Sequence, residues 1–209
     1  FHHELEAEHY LRAGEYDKVL RVGEKSLEAS RTLTAYRAVA LSRLGKMGDK
    51  LFAYPQYYRS DGLFFETDSL HTLRYTNDSI YYLLGARPYE GEDCMVFLRN
   101  ICYKGTGKYT SLDYYLSALL LEKKLDSFAQ AVPDFYLPED TLPRYYREAL
   151  VMYHVQRNDT VSSRADSLTL DRFKAYQTLQ QKEGSPLEER NRMRREFGDT
   201  YWWYYDYQE

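Results

Sequence analysis

Two glycines 31 positions apart, Gly14 and Gly45, constrain this chain more than any other feature. Each closes a run with helical spacing. Leu5, Ala7, Tyr10 and Leu11 recur at helical spacing, so His3 to Ala13 reads as a helix that Gly14-Glu15 turns. Val19, Leu20, Gly23, Ser26 and Leu27 then place a partner helix over Tyr16 to Ala29. Leu33 to Leu44 repeats the first helix, Gly45 repeats the turn, and a short helix of about two turns ends before Pro55. A self-similar period of this length signals stacked helical hairpins, each unable to bury its apolar face alone. Gly23 falls inside the second helix, where it costs about 1 kcal/mol against alanine, so it reads as a packing glycine.

Beyond Pro55 the period breaks. Residues 56–77, with Asp61-Gly62 and Thr67-Asp68-Ser69, form an irregular connection whose Tyr57, Leu63, Phe64, Phe65 and Leu70 lay it over the flank of the array. Asn77 or Asp78 caps a helix through Leu84, which Gly85 stops. Further helices are expected from Glu90 to Tyr103, Tyr109 to Lys123, Lys124 to Phe135, Pro143 to Arg157 and Ser167 to Glu183. Gly184-Ser185-Pro186 starts the last, to Phe197, and an aromatic tail follows. The fold class is therefore all-α, a single helical-repeat domain over 1–209 with about eleven helices. Its parts are two repeat-like hairpins (1–55), the connection (56–77), further hairpins (78–183), and a terminal helix with the tail (184–209).

Composition narrows function mainly by exclusion. Acidic and basic residues are interspersed, with a net charge of −4, which argues against a nucleic-acid footprint. The 23 tyrosines imply many half-buried rings, as a thin helical array provides and as interfaces favour. Cys94 and Cys102 on one helix lie roughly 12 Å apart by helical rise, too far for a disulfide, so both are expected as thiols. Leu116 to Leu121 is the best apolar run and is far short of a membrane span. The sequence opens on Phe1, already in a helical pattern, and reads as a piece of something longer.

No constellation of residues supports catalysis. His3-Glu4 lacks a histidine at the position a zinc-protease helix requires, since Ala7 stands there; His3 and His9 fall on different faces, and no metal or cofactor is expected. The remaining histidines are His2, His71 and His154. Glu4, Glu6 and Glu8 read as a solvated acidic first turn. Lys104-Gly105-Thr106-Gly107 lacks phosphate-loop spacing and reads as a turn. No cysteine, serine or threonine sits in a nucleophile motif. The charge run from Glu188 to Glu196 reads as a solvated face. In the tail, adjacent Trp202 and Trp203 suggest either an anchor that caps the array or an aromatic platform for a sugar or peptide. One ring, Trp202, is expected to be buried and the other to be spare for contacts.

Ala13-Gly-Glu-Tyr-Asp-Lys-Val-Leu20 resembles the turn and second helix of a tetratricopeptide repeat. Other segments resemble an uncharacterised family of bacterial membrane proteins. They are Leu41-Ser-Arg-Leu-Gly-Lys-Met-Gly48, Phe52-Ala-Tyr54-Pro-Gln56-Tyr with Asp61-Gly62-Leu63, Gly107-Lys-Tyr109 before Tyr114-Tyr-Leu116, Tyr146-Arg-Glu148-Ala-Leu150, and Phe197-Gly-Asp-Thr-Tyr-Trp-Trp203. The resemblance implies the soluble C-terminal domain of a multi-span membrane protein, and it carries no catalytic residues.

These readings converge on a non-catalytic scaffold that binds a protein or peptide, including the membrane portion of its own parent chain. Stacked hairpins line a concave surface with first-helix residues. That logic selects Tyr10, Tyr36 and Arg37 as partner-binding, with Trp203 and Tyr204 added from the tail. The alternative is a glycan-binding accessory domain beside a membrane enzyme, acting through the same tail.

Overall fold

The computed structural model describes residues 1–66, 75–159 and 167–209, so His71 and Leu70 lie outside it, as does part of the polar loop after Asn158. Among the described residues the chain is all-α: twelve α-helices, two 3-10 turns and no strand. The helices are α1 His2–Arg12, α2 Tyr16–Arg21, α3 Arg31–Arg43, α4 Met47–Lys50, α5 Asn77–Leu84 and α6 Cys94–Tyr103. Then come α7 Thr110–Leu121, α8 Leu125–Phe135, α9 Arg144–Gln156, α10 Ser167–Gln180, α11 Pro186–Phe197 and α12 Tyr201–Tyr207. The 3-10 turns are Leu51–Ala53 and Arg59–Leu63.

Gly14 and Gly45 occupy equivalent turns. After α1, the Gly14 and Glu15 amides donate to the carbonyls of Leu11 and Tyr10; after α3, those of Gly45 and Lys46 donate to Ser42 and Leu41. Both glycines have positive φ, +73° and +67°. This is a helix stop in which one left-handed residue lets the chain satisfy two terminal carbonyls. Asn158 repeats it after α9, its amide bonded to Val155 and that of Asp159 to His154.

The partner helix of the first hairpin is shorter than its spacing predicts. α2 ends at Arg21, and Gly23 is not helical: its φ is +61° and the His3 imidazole lies against it. The left-handed glycine wins over the continuing apolar period. After Gly45 the chain makes only the four-residue α4 and a 3-10 turn. Asn77 does not cap α5. It is the first helical residue, and its amide clasps the Phe65 backbone, accepting from N–H at 2.7 Å and donating to C=O at 3.0 Å. α6 starts at Cys94 rather than Glu90 because Asp93 caps it, accepting from Met95 and Val96.

The chain resolves into two compact units: unit 1 is residues 1–47 and 55–122, and unit 2 is 48–54 and 123–209. In unit 1, α3 packs on α1, α2, α7 and the Arg59–Leu63 turn, and every residue from Leu33 to Ser42 is buried. Ala35, Ala38 and Ala40 let those neighbours close in on all sides. Glu8, expected in solvent, is buried too, and its carboxylate accepts the Tyr75 amide at 2.8 Å. In unit 2, α9 packs on α8, α10 and α12, and α11 covers α10 and α12.

Candidate functional site

The residues singled out in the sequence separate into one that is partly accessible and four that are interior. Tyr10 is half-buried, with the Lys18 ammonium 5.4 Å from its ring centre. Tyr36 is fully buried, edge-on to Phe65 and Tyr75, and burial pushes its phenol well above the ordinary range. Arg37, also buried, donates at 2.9 Å to the carbonyl of Val22, where α2 ends. Both belong to α3, which has neighbours on every side, so these side chains serve the core of unit 1 and not a groove.

The tail is a helix, and it is interior to unit 2. Tyr201, Trp202, Trp203 and Tyr204 are consecutive and all buried, so the expectation of one spare tryptophan is corrected. Trp202 packs at a tilt against Phe173 and Tyr176 of α10, and its indole N–H donates to the Glu148 carbonyl at 2.8 Å. Trp203 is shut in from α11, where the Arg190 and Arg194 guanidiniums lie 5.3 and 5.6 Å from its ring centre. Tyr201 and Tyr204 flank Phe52. The charge run of α11 is therefore more than a solvated face. Its arginines cover an aromatic ring, and Arg190 and Arg192 also bond the Tyr207 and Lys182 carbonyls.

The accessible chemistry lies elsewhere. Among the described residues, every strongly exposed aromatic ring falls in unit 1: Phe1, Tyr57, Tyr58, Tyr82, Tyr89, Tyr103 and Tyr109. Phe1, Tyr57 and Tyr58 border a cleft of about 490 Å³ with exposed Leu27. Gly23 ends the first hairpin early, and residues 27–30 beyond it form one wall of the cleft. Ser30 closes that wall by capping α3, its Oγ accepting the Leu33 amide at 3.1 Å. The tyrosines pin it from the opposite side. Tyr57 donates its phenol proton to the Leu27 carbonyl, and Tyr58 donates to Ala29 at 3.2 Å. His3, Glu4 and Glu28 supply the polar lining. The Glu28 backbone amide donates to Ser26 Oγ at 3.1 Å, and the cleft offers apolar surface beside two carboxylates.

The match to known families spans this cleft and the buried tail alike. Residues 1–87 and 90–208 match DUF6057, a family of unknown function. The chain belongs to it. No curated protein and no solved structure matches. Pro88 and Tyr89, the only pair between the two DUF6057 segments, sit in the loop before α6.

Two other features of this DUF6057 chain bear on chemistry. Cys94 and Cys102 are free thiols at opposite ends of α6; burial pushes Cys94 up to about 12 and raises Cys102, which suppresses thiolate. Unit 2 has a cleft of about 440 Å³ beside Lys123, Lys124 and Arg157. Its Arg157 is already paired with Asp126 at 3.3 Å and Asp159 at 3.5 Å.

Proposed function

We propose that this domain is a non-catalytic helical scaffold that holds an extended segment of another protein, or of its own parent's membrane portion, in the unit 1 cleft. One observation carries the reading: exposed Leu27, Tyr57 and Tyr58 converge on a concave surface, whereas most large apolar side chains elsewhere are buried. Soluble proteins seldom leave apolar groups clustered around a cleft without a partner for them. A cleft of this size admits a few side chains, which suits an extended peptide better than a folded surface. No helix among the described residues is long and apolar enough to cross a membrane. In this reading the membrane spans belong to the rest of the parent, as the resemblance of the 41–63 and 197–203 segments implies. The competing reading, a glycan-binding tail, depends on Trp203 and Tyr204, which are buried.

A photo-crosslinking residue at Leu27, in the intact parent in its own membrane, tests the proposal. The control carries the same residue at exposed Leu187 of α11 in unit 2. The expected result is a defined protein or peptide adduct from Leu27 alone. Equal adducts from both positions, or none from Leu27, would remove the cleft from consideration.

A further inference from the structure

We infer that the segment bound in the unit 1 cleft is cationic as well as apolar: an extended peptide with a Lys or Arg beside a Leu- or Phe-like side chain. This rests on the scaffold reading and adds the chemistry of its partner. The cleft is lined by two carboxylates, Glu4 and Glu28, and by no lysine or arginine. Neither carboxylate has an ion-pair partner among the described residues. Two of the nearby cations are engaged elsewhere. Arg31 points its Nε at the carbonyls of Asp61 (2.9 Å) and Phe64 (3.1 Å), and Lys18 pairs with Glu15. No ion pair among the described residues thus occupies either carboxylate, and a positive partner group gains from both.

The apolar half of the requirement comes from the same walls. Leu27, Ala29 and Leu33 form an aliphatic strip between the carboxylates, and Tyr57 and Tyr58 stand opposite. The two phenols already spend their protons on the Leu27 and Ala29 carbonyls, so to an incoming group they offer ring surface and acceptor oxygens but no proton. Ring faces attract a cation, and a lysine or arginine stem packs along aliphatic surface while its head reaches a carboxylate. An acidic segment would meet two uncompensated like charges. A neutral apolar one would leave both carboxylates partly desolvated without a partner.

The test uses the whole domain and three sets of immobilised short peptides, identical except at one position. Leu- and Phe-containing sequences carry Arg or Lys, Gln, or Glu at that position. The cationic set should bind about tenfold better than the Gln set at low salt, with the Glu set weakest. That preference should shrink at about 0.5 M salt, where exposed charges are screened. The Glu4→Gln/Glu28→Gln double variant should bind the cationic and Gln sets equally. Leu27→Asp, at an exposed position that folding tolerates, should lose all sets with its circular dichroism unchanged. Equal binding of the cationic and Gln sets by the unaltered domain overturns this inference and leaves the scaffold reading standing. Failure of every set to bind overturns both. Cationic-set binding that survives Leu27→Asp places the contact outside the cleft and also overturns the inference.

Discussion

Glu148 shows at the scale of one residue how unit 2 is held. Its carboxylate takes the Tyr201 amide and the Arg144 Nε, each at 2.9 Å, and its backbone carbonyl takes the Trp202 indole. Burial lifts its pKa above the ordinary value despite Arg144 beside it. The folded state then holds the Glu148 proton more tightly than the unfolded chain does. The stabilisation this brings is complete below the unfolded pKa of about 4.5 and is lost as pH rises through the higher folded value. Relative to Glu148→Gln, the wild type should therefore lose melting temperature as pH climbs from about 4.5, read by tryptophan fluorescence; parallel profiles would show that Glu148 does not titrate differently on folding. The turn glycines make a second prediction. An added Cβ meets nothing within 4 Å at Gly14 or Gly45, so alanine there should cost about 1 kcal/mol each, from backbone strain alone. At Gly48 the same methyl would sit 2.5 Å from Pro143 Cβ, and overpacking should cost more, about 1–3 kcal/mol. Urea unfolding orders the three, and a Gly48→Ala milder than Gly14→Ala would contradict that close approach.

Among the elements, α12 departs furthest from its sequence. A helix buried on one face shows a 3.6-residue period, but one buried all round shows none. Tyr201 to Tyr204 therefore read as an aromatic tail with one ring spare, although Thr200 carried the missing signal as a cap. Its hydroxyl accepts the Trp203 amide at 3.1 Å and donates to the Phe197 carbonyl at 2.7 Å. Thr200→Ala should cost about 1–2 kcal/mol, and Thr200→Ser much less. Trp202→Ala and Trp203→Ala should each cost about 3–5 kcal/mol by denaturant unfolding, since both rings are enclosed. A silent Trp203→Ala would restore the platform idea. The hairpin stops at Gly14, Gly45 and Gly85 were legible because a left-handed residue is a local requirement. So was the start of α11, where Ser185 and Glu188 cap each other. The α2 end at Arg21 was not, because Val22 to Leu27 keeps a helical spacing that Gly23 overrides. The cleft was not legible either: its walls come from α1, from residues 27–30 and from Tyr57-Tyr58, and no local pattern brings those segments together.

Across the whole molecule the aromatic residues divide by task. Unit 2 spends its rings on its own interior, while unit 1 presents the exposed ones. Hydroxyl-radical footprinting should accordingly label Tyr82, Tyr89 and Tyr109 strongly and spare Trp202, Tyr176 and Tyr201; strong labelling of Trp202 would contradict an enclosed α12. One further feature sets a timetable. Residues 48–54 belong to unit 2, although the chain on both sides of them builds unit 1. Phe52 packs on Tyr145, Tyr201 and Tyr204, whose rings lie far downstream. During synthesis at ordinary speed Phe52 emerges on the order of 5–20 s before Tyr145, and longer still before Tyr201. Through that interval an apolar ring must wait without its neighbours, so unit 2 can close only once Tyr204 has left the ribosome. A gene fragment cut after Glu122 would never supply those neighbours, and one beginning at Lys123 would lack the ring they surround.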